Sequence, residues 1–578
     1  MTNTVDQTPV RPGTTVADPH SATPASAPSL SNKAFLAAPT AESVVSGRPA
    51  RSPAGRRRWL NRRAILWLGG CSLLCLLLRL PFIATPLGID EGGDAFIAQH
   101  WANTHGSVYG AYWLDRPPLL LLLYKVGLIG GTLGIRIMGS VVAVAIVATV
   151  MAAARRLSND KAARISGLTA AILLSAVSMG AVFTDSELLA ALPAALSVLM
   201  LLISSRSARP LRWLVAAGLF AAAAVLIKQS SVDAFAAGIA YLAGSLLVRK
   251  STGIRISWPL SYLAGFSVPL IAAGGWAYVY STNFRQFLYA VIGFRVDGLR
   301  VLQHSTAPPI HMLIHHGLPI LIASGCGLLL PWAASHIWTM RRQIPMAAAF
   351  AGFLAGGMFG IVGGGQYFPH YFIQIIPVLS ILAGCAIARA QRRYLTHFTI
   401  YALVLLGVLN LGFGMALAKA HPPQVTGLAI TRFLHANATQ GDSLYVLYAR
   451  ANVLYYAGMP SPYPYNWSLM DRAIADAEPR LRSMLVSPAR RPTWIVEWQT
   501  PTSLGLDRSG ETTALLARNY VAVGGICGKR VLVRRDRKPA HIRQVPADCS
   551  HLHLPPELVV LLGNVPINDV DSVDYFWS

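Results

Sequence analysis

Residues 78–125 join two apolar runs and contain charged side chains that could carry out acid–base or phosphate chemistry. Between the two apolar runs lie Asp90, Glu91, Asp94, Asp115 and Arg116. A carboxylate can act as a general base, hold a divalent metal, or do both. A guanidinium can bind a phosphate through two parallel hydrogen bonds. The alternatives are that the adjacent acids cap the amino end of an interfacial helix and that Arg116 extends its charge from an apolar surface to water.

Two further polar segments contain candidates of the same kind. Asp185 and Glu187 occur in the turn FTDSE and could form a second carboxylate site, although we expect Glu187 to be a solvated loop acid. Lys228 ends the apolar run LFAAAAVLIKQ, with Gln229 directly after it in the chain. A lysine at that end of an apolar helix suits a lipid phosphate.

The segment GGGQYFPHY adds His370 and Tyr371. These side chains either contact a phosphate or an acceptor, or belong to the belt of aromatic residues that is common at membrane surfaces. Asp233, which follows Lys228 closely, is expected to cap the next helix.

The composition identifies the elements that must position these residues. Hydrophobic residues make up 53% of the 578 and charged residues only 13%, whereas roughly a quarter of a soluble protein is charged. Long apolar runs recur, and spanning helices need about 20 such residues. A transmembrane barrel would show short alternating segments instead. We therefore predict an all-α polytopic membrane protein.

The net charge of +24 arises largely from basic clusters between the apolar runs. The clusters are 56–63, 154–164, 206–212, 249–255, 341–342 and 388–393. Short basic loops of this kind are typical of the cytoplasmic side of membrane proteins. No compact basic domain with interleaved aromatic residues occurs, so we expect a lipid bilayer and not a nucleic acid as the partner.

The hydropathy predicts about eleven spanning helices. They are 64–84, 134–153, 162–181, 187–204, 212–227, 232–248, 257–280, 312–338, 346–364, 371–388 and 394–418. The apolar segment 117–131 is short for a crossing. If it crossed, the loop 154–164 and most later basic loops would lie outside; if it lies in the interface or re-enters, every basic cluster lies inside. We choose the second arrangement, with the amino end cytoplasmic and the carboxyl end outside the cell membrane.

Three regions follow from this arrangement. Residues 1–55 are rich in Pro, Ser, Thr and Ala and are predicted to be a disordered cytoplasmic tail. Residues 56–418 form the membrane domain. Residues 419–578 are predicted to form an extracytoplasmic α/β domain with the strands SLYVLY, TWIVEW and RVLVRR. Its stretch 450–467, rich in Tyr and Pro, suits either carbohydrate stacking or packing on the membrane surface.

The six cysteines divide between these regions. Cys71, Cys75, Cys326 and Cys385 lie in apolar runs and are expected to be small packing residues. Cys527 and Cys549 lie in the predicted outer domain, where they form a disulfide or remain as two thiols. No spacing typical of a structural zinc site occurs.

The order of these motifs resembles that of the polytopic GT-C glycosyltransferases, in the branch with the protein O-mannosyltransferases and the lipid A aminoarabinose transferase. An acidic pair, Asp90-Glu91, follows the first span, and a basic-Pro-Pro-Leu element begins at Arg116. Asp185 stands in the second outer loop, and Lys228 ends a later span in an LTK-like context, here LIKQ. The YF…HY…P segment is also similar, and the likeness covers roughly residues 64–390.

This resemblance implies that 56–418 is a catalytic domain that transfers a sugar from a polyprenyl-phosphate donor to a carbohydrate, lipid or protein acceptor. Asp90 would be the general base, supported by Glu91 and Asp185. Arg116 and Lys228 would bind the leaving phosphate, with His370 and Tyr371 also at the donor. A phosphate leaving group needs cations more than a general acid, and an inverting displacement needs one base.

The remaining implied roles are less defined. Asp94, Asp115 and Gln229 would support the site or the acceptor, and Gln229 replaces a glycine of the family, which changes the local loop. Arg116 stands where lysine is common in the aminoarabinose branch, but arginine also binds phosphate. Metal dependence varies within the family, so the resemblance implies no certain cofactor; a divalent metal, if present, would lie between Asp90 and Asp185.

A lipid or glycolipid transporter is the alternative function. Transporters tend to have internal repeats and charges at mid-bilayer. This chain shows no clear repeat, and its notable charges cluster at one face. A structural membrane protein that binds partners through its outer domain would leave the charged set unexplained. The sequence therefore favours an enzyme.

Overall fold

The computed structural model describes residues 62–101, 108–281, 283–305, 309–363, 367–420, 424–547 and 549. The predicted disordered tail, 1–55, lies outside these ranges. The helices of the first half are α1 (Arg62–Arg79), α2 (Ile89–His100), α3 (Pro118–Gly127), α4 (Gly131–Leu157), α5 (Asp160–Leu173), α6 (Ser186–Ser204), α7 (Pro210–Ile227), α8 (Asp233–Leu247), α9 (Arg249–Thr252), α10 (Ser257–Tyr280), α11 (Phe284–Leu288) and α12 (Phe294–Ser305).

The second half contains further helices and a small sheet. The helices are α13 (Pro309–Met312), α14 (Leu318–Ser324), α15 (Cys326–Thr339), α16 (Ile344–Val362), α17 (Ile376–Arg389), α18 (Arg393–Ala420), α19 (Val425–Asn437), α20 (Ala451–Ala457), α21 (Ser468–Ala473), α22 (Ala477–Val486) and α23 (Glu511–Asn519). The strands are β1 (Leu444–Val446), β2 (Trp494–Glu497), β3 (Tyr520–Ile526) and β4 (Lys529–Arg534).

Eight helical stretches in the described part of the chain are long and apolar enough to cross a membrane, or nine if Ile310–Ser324 and Cys326–Arg342, bent by 81°, form one span. The predicted spans 162–181 and 232–248 correspond to α5 and α8. These helices have 14 and 15 residues, fewer than a straight crossing requires. The polytopic all-α class with a small C-terminal sheet is confirmed.

The segment predicted not to cross, 117–131, forms α3 and the turn after it. Gly131 has a positive φ of 59°, which redirects the chain before α4. A Cβ built on Gly134 would lie 2.2 Å from the carbonyl oxygen of Gly127. A straight helix would separate these two residues by about 10 Å, so α4 packs back against the end of α3. The 27-residue α4 is long enough to cross by itself. One candidate span of 40 residues, Pro118–Leu157, contains both helices, so the interfacial position of α3 stays a prediction.

The membrane bundle has central and peripheral helices. α6 and α17 are mostly buried inside the protein, whereas α1, α10 and α18 expose most of their surface. Exposed apolar side chains such as Leu66, Ile271 and Tyr401 lie on these peripheral helices. Such side chains suit contact with lipid, because burial of apolar surface away from water is favourable.

The C-terminal region contains a sheet with the strand order β1-β2-β4-β3. β1 and β2 are parallel, while β4 is antiparallel to both β2 and β3. β1, β2 and β4 confirm the three predicted strands. β3, with the sequence YVAVGGI, was not predicted; it pairs with β4 and has an irregular register between Ala522 and Gly524.

The stretch 450–467 packs inside this region and against α2. Tyr463 is 1% exposed and Tyr465 4% exposed, and their rings contact each other with centroids 5.4 Å apart. Neither ring presents a face for stacking on a carbohydrate, so that interpretation is wrong for these two tyrosines. Their burial stabilises the domain because large aromatic side chains remove much apolar area from water.

Cys527 and Cys549 form a disulfide in the C-terminal region. Cys71, Cys75, Cys326 and Cys385 are free and buried, as expected. The disulfide closes a loop between cysteines separated by 22 positions. A crosslink of this length restricts the unfolded chain and stabilises the fold by about 3 kcal/mol.

We predict that Cys549→Ser lowers the free energy of unfolding by about 3 kcal/mol. Thermal unfolding of the purified protein in detergent measures the change, and mass spectrometry of the unreduced protein checks the linkage. Cys385→Ser is the control, because it replaces a buried free cysteine and removes no crosslink. The difference in stability between this variant and the wild type should be the same with and without reductant. Two free thiols in the purified wild-type protein would contradict the disulfide.

Candidate active site

Five separate segments bring the candidate residues to the end of the helical bundle that meets the C-terminal domain. They are the start of α2, the loop before α3, the start of α6, the end of α7 and the 3-10 segment Pro369–Ile375. The carboxylates of Asp90, Asp94 and Asp115 all act electrostatically on Arg116. Asp90 and Arg116 both act on Lys228. The predicted convergence of distant acids and cations is therefore present in the structure.

Asp90 lies in the first turn of α2 and is partly exposed. One of its carboxylate oxygens, Oδ1, accepts a hydrogen bond of 2.9 Å from the indole nitrogen of Trp467. The positive end of the helix dipole favours a carboxylate at this position. Its neighbours Glu91 and Asp94 are buried, so Asp90 is the acid of α2 that a substrate can reach.

Glu91 points into the protein and forms a buried ion pair with Arg136 of α4. Both side chains are 1% exposed. Glu91 also accepts hydrogen bonds from the backbone amides of Gly88, at 3.0 Å, and Thr184, at 2.6 Å. Arg136 donates to the carbonyl oxygen of Pro86 at 2.7 Å. These contacts favour a structural role for Glu91, in place of the catalytic role predicted for it.

Glu187 and Lys228 form a second buried ion pair. Nε2 of His370 lies 3.4 Å from Oε1 of Glu187, and Nζ of Lys228 lies 4.0 Å from the centre of the Tyr371 ring. Glu187 is 1% exposed, so the expectation of a solvated loop acid is wrong. The reason is that α7 and the 3-10 segment cover the start of α6, and a buried carboxylate requires a cation. Lys228 therefore already has a protein partner.

Arg116 belongs to a different charge group, centred on Asp115. The Asp115 carboxylate pairs with Arg116 at 2.8 Å and with Arg295 of α12 at 2.7 Å. Gln229 donates to the carbonyl oxygen of Asp115 at 2.6 Å. Gln229 thus fixes this loop from the end of α7, which is a supporting role. Two guanidinium groups share one carboxylate, so this group has one positive charge in excess.

The electrostatics at Arg116 favour a permanent cation. Burial lowers the pKa of Arg116, but the carboxylates of Asp115, Asp90 and Asp94 raise it above the ordinary value. The side chain remains 15% exposed. A charged guanidinium with an open edge can accept a second anion, such as a phosphate, in addition to Asp115.

Asp94 lies one helical turn after Asp90 in α2 and is buried. Burial raises the pKa of Asp94 well above its ordinary value; Arg116 opposes this rise, and the negative charges of Asp90, Asp115 and Glu187 add to it. Asp94 is therefore neutral at pH values where an exposed aspartate is ionised. It adds no negative charge to the site under those conditions.

Asp185 is the residue before α6 and is 5% exposed. Its Oδ2 atom is buried and has no hydrogen-bond partner among the described residues. An unpaired buried oxygen of this kind is costly and fits a metal ligand. However, the described ranges contain no group of three or more His, Cys, Asp or Glu side chains arranged to hold a metal ion. A metal between Asp90 and Asp185 stays a prediction.

The sequence did not identify four residues that shape this site: Arg79, Arg136, Arg295 and Trp467. Arg79 donates to the carbonyl oxygens of Leu174, Ala181 and Val182, and so orders the segment before Asp185. Arg79 and Arg136 both interrupt apolar runs, and charges in such runs are expected to be functional or paired. That rule would have found them.

The fold defines a class of protein through comparison with solved structures. The crystal structure of ArnT from Cupriavidus metallidurans in the apo state superposes with a TM-score of 0.56, at 17% sequence identity, over 81% of this chain and 98% of that chain. The structure of the same protein bound to undecaprenyl phosphate gives a TM-score of 0.54, at 16% identity, over 81% and 97%. At these identities the likeness concerns the fold, which is the GT-C fold.

A sequence comparison adds a family within this class. The model of the family described as dolichyl-phosphate-mannose-protein mannosyltransferase matches residues 115–274. This range includes Arg116, Asp185 and Lys228. A search of the curated proteins finds no match. The resemblance to GT-C glycosyltransferases is confirmed, and so is the predicted enzyme class, a glycosyltransferase.

We predict that breaking the Glu91–Arg136 pair destabilises the protein strongly. Glu91→Gln or Arg136→Met leaves one buried charge without its partner and should lower the free energy of unfolding by about 3–5 kcal/mol. Thermal unfolding in detergent measures the loss. Asp160→Asn, which weakens the largely exposed Arg155–Asp160 pair, is the control and should cost about 1 kcal/mol or less. Equal effects of the variants would contradict the structural role.

We also predict that Asp94→Asn preserves the site, because asparagine has the shape of a neutral aspartic acid. In the wild type the folded protein holds the Asp94 proton to higher pH than the unfolded chain does. Stability therefore falls as the pH rises from the ordinary aspartate pKa towards the raised one. The variant should lose this part of the pH dependence of the melting temperature. Asp160→Asn, at an exposed acid, should retain it; a wild-type pH dependence in Asp94→Asn would contradict the prediction.

Proposed function

We propose that this protein transfers a sugar from a polyprenyl-phosphate donor to an acceptor hydroxyl at the surface of the membrane. The observation that carries the proposal is the position of a partly exposed carboxylate, Asp90, near the open guanidinium of Arg116. A base and a cation at one site are what an inverting transfer from a lipid phosphate requires.

The proposed reaction gives one role to the carboxylate of Asp90 and another to the guanidinium of Arg116. Asp90 accepts the proton of the acceptor hydroxyl as its oxygen attacks the anomeric carbon of the sugar. The bond between that carbon and the phosphate oxygen breaks, and the phosphate leaves with the electron pair. Arg116 stabilises the charge that develops on the phosphate, and Arg295, which shares Asp115 with it, is close enough to assist.

The other predicted residues have indirect roles in this proposal. Lys228 forms an ion pair with Glu187 and so fixes the end of α7 beside the donor site without adding net charge, with His370 and Tyr371 packed beside it. Glu91 holds α2 in place. Asp185, with its unpaired oxygen, and Asp90 are the residues that would hold a divalent metal. Such a metal would neutralise charge on the donor phosphate.

The comparisons support the class of donor. The neighbouring ArnT structure contains undecaprenyl phosphate, a polyprenyl phosphate. The family model that matches 115–274 is described by a dolichyl-phosphate-mannose donor and a protein acceptor. For this chain we propose a polyprenyl-phosphate sugar as donor and a carbohydrate, lipid or protein hydroxyl of the cell envelope as acceptor.

We further propose that the site and the C-terminal domain, 419–578, face the outside of the cell membrane and that the amino end is cytoplasmic. The basic clusters between the spans support this orientation. The Cys527–Cys549 disulfide supports it as well, since disulfides persist in oxidising compartments. Labelling of a single introduced cysteine at Ser509 by an impermeant reagent on intact cells tests the orientation. Labelling only after lysis would contradict it.

We predict that Asp90→Asn reduces the turnover number for sugar transfer by about a hundredfold or more, because the general base is lost. The assay follows transfer from labelled polyprenyl-phosphate sugars, tested as a panel, to membrane acceptors. Binding of polyprenyl phosphate to this variant should remain within about twofold of the wild type. Undiminished turnover would reject Asp90 as the base.

Arg116→Ala is the complementary variant. It should weaken binding of polyprenyl phosphate by about tenfold or more, since a charge-assisted contact is lost. Arg155→Ala, at a half-exposed arginine of α4, is the matched control and should bind normally. Movement of the lipid across vesicles without sugar transfer would favour a transporter.

A further inference from the structure

The C-terminal domain contacts α2 directly at Gly92 and Gly93, in the turn that contains Asp90. A Cβ built on Gly92 would lie 2.3 Å from Cβ of Asn452, and one built on Gly93 would lie 2.3 Å from the Trp467 ring. Any larger residue at these two positions would separate the elements. Glycine therefore permits the close approach of α2 to α20 and to the loop that ends at Trp467.

Hydrogen bonds also fix the same junction just before the amino end of α2. The Tyr456 hydroxyl accepts from the backbone amide of Leu87 at 2.5 Å. Nδ2 of Asn452 donates to the carbonyl oxygen of Leu87 at 3.4 Å and to Oε1 of Gln424 at 2.7 Å. The segment before Asp90 is thus bonded to the C-terminal domain through its backbone, independently of Trp467.

Trp467 adds a hydrogen bond from the C-terminal domain to Asp90 at this junction. Its indole nitrogen donates to Oδ1 of Asp90 at 2.9 Å, and its ring packs on Gly93. An indole has a single N–H donor and no acceptor, so it can orient a carboxylate but cannot take its proton. Trp467 is itself partly exposed, as is Asp90.

We propose that Trp467 is a positioning residue for sugar transfer; this rests on the proposed role of Asp90 as the base. Its indole N–H occupies Oδ1 of Asp90 and directs the other oxygen, Oδ2, towards the acceptor hydroxyl. The proton of the hydroxyl moves to Oδ2 while the acceptor oxygen bonds to the anomeric carbon, and the bond from that carbon to the phosphate oxygen breaks, so that the polyprenyl phosphate leaves with the electron pair. The C-terminal domain therefore supplies part of the catalytic geometry.

The first test is kinetic. Trp467→Phe keeps a flat aromatic ring on Gly93 but removes the N–H. It should lower the turnover number about tenfold, because a hydrogen bond to a charged group is lost, while the KM for the polyprenyl-phosphate sugar stays within about twofold. A variant with the wild-type turnover number would overturn the proposal.

Trp494→Phe is the matched control. Trp494 donates an equivalent bond of 2.9 Å from its indole nitrogen to a carboxylate, Asp442, elsewhere in the C-terminal domain. Its loss should leave the turnover number unchanged, even if the melting temperature falls. A similar loss of turnover in both variants would show a general effect of folding and would also overturn the proposal.

The second test needs no activity. The chain contains 13 tryptophans, and ¹⁵N labelling resolves their indole N–H groups by NMR in detergent micelles. Asp90→Asn should move one indole proton resonance upfield, because its charged acceptor becomes neutral, and Trp467→Phe should remove that same resonance. If no indole resonance responds to Asp90→Asn, the bond is absent.

The two tests separate the failure of this inference from the failure of the proposed function. If the wild-type protein is inactive with every donor tested, the result counts against sugar transfer. The NMR experiment would still show whether Trp467 donates a hydrogen bond to Asp90. An active protein in which Asp90→Asn abolishes turnover but Trp467→Phe does not would retain the base and reject the positioning role.

Discussion

The buried ion pair between Glu91 and Arg136 holds together the elements from which the site is built. Glu91 connects the first turn of α2 to α4 through Arg136, and to the segment before α6 through the amide of Thr184. Neither charge can reach water, so removal of one leaves the other uncompensated at a large cost. Because successive residues of a helix point about 100° apart, the inward direction of Glu91 turns Asp90 towards the C-terminal domain.

The other buried charges of the site also have partners of opposite charge, because an unpaired charge is costly in a region of low polarity. Glu187 pairs with Lys228, and Asp115 pairs with Arg116 and Arg295. Burial raises the pKa of Asp94 and so favours its neutral form, which needs no cation as a partner. After this pairing, part of the Arg116 side chain and the carboxylate of Asp90 remain accessible to solvent. These two groups are the cation and the carboxylate on which the proposed function rests.

The junction explains why the two domains act as one unit. The described residues from Arg62 onwards belong to a single compact unit, and α2 lies between the membrane bundle and the C-terminal domain. The bundle fixes α2 through Glu91, while the C-terminal domain fixes it through the backbone of Leu87 and the side chain of Asp90. A polyprenyl chain that enters from the bilayer and an acceptor that arrives from the aqueous side would meet at this helix.

The sequence alone determined the class of the protein, most of its helices and the residues that converge at the site. Spanning helices could be predicted because about 20 consecutive apolar residues are a local property that the bilayer requires. Asp90, Arg116, Asp185 and Lys228 could be selected because charges near apolar runs are rare. The strands β1, β2 and β4 are rich in β-branched and aromatic residues, whereas β3 contains two adjacent glycines and escaped detection.

Tertiary structure alone decided which of these charges pair with each other. The sequence predicted Glu187 to be a solvated loop acid, but α7 and the 3-10 segment bury it. The sequence predicted a catalytic role for Glu91 like that of Asp90, but Glu91 pairs with Arg136 of α4. The bond from Trp467 to Asp90 joins residues 377 positions apart. Pairing of this kind depends on contacts between residues that are far apart in the sequence. Local sequence patterns do not predict which of these residues will meet.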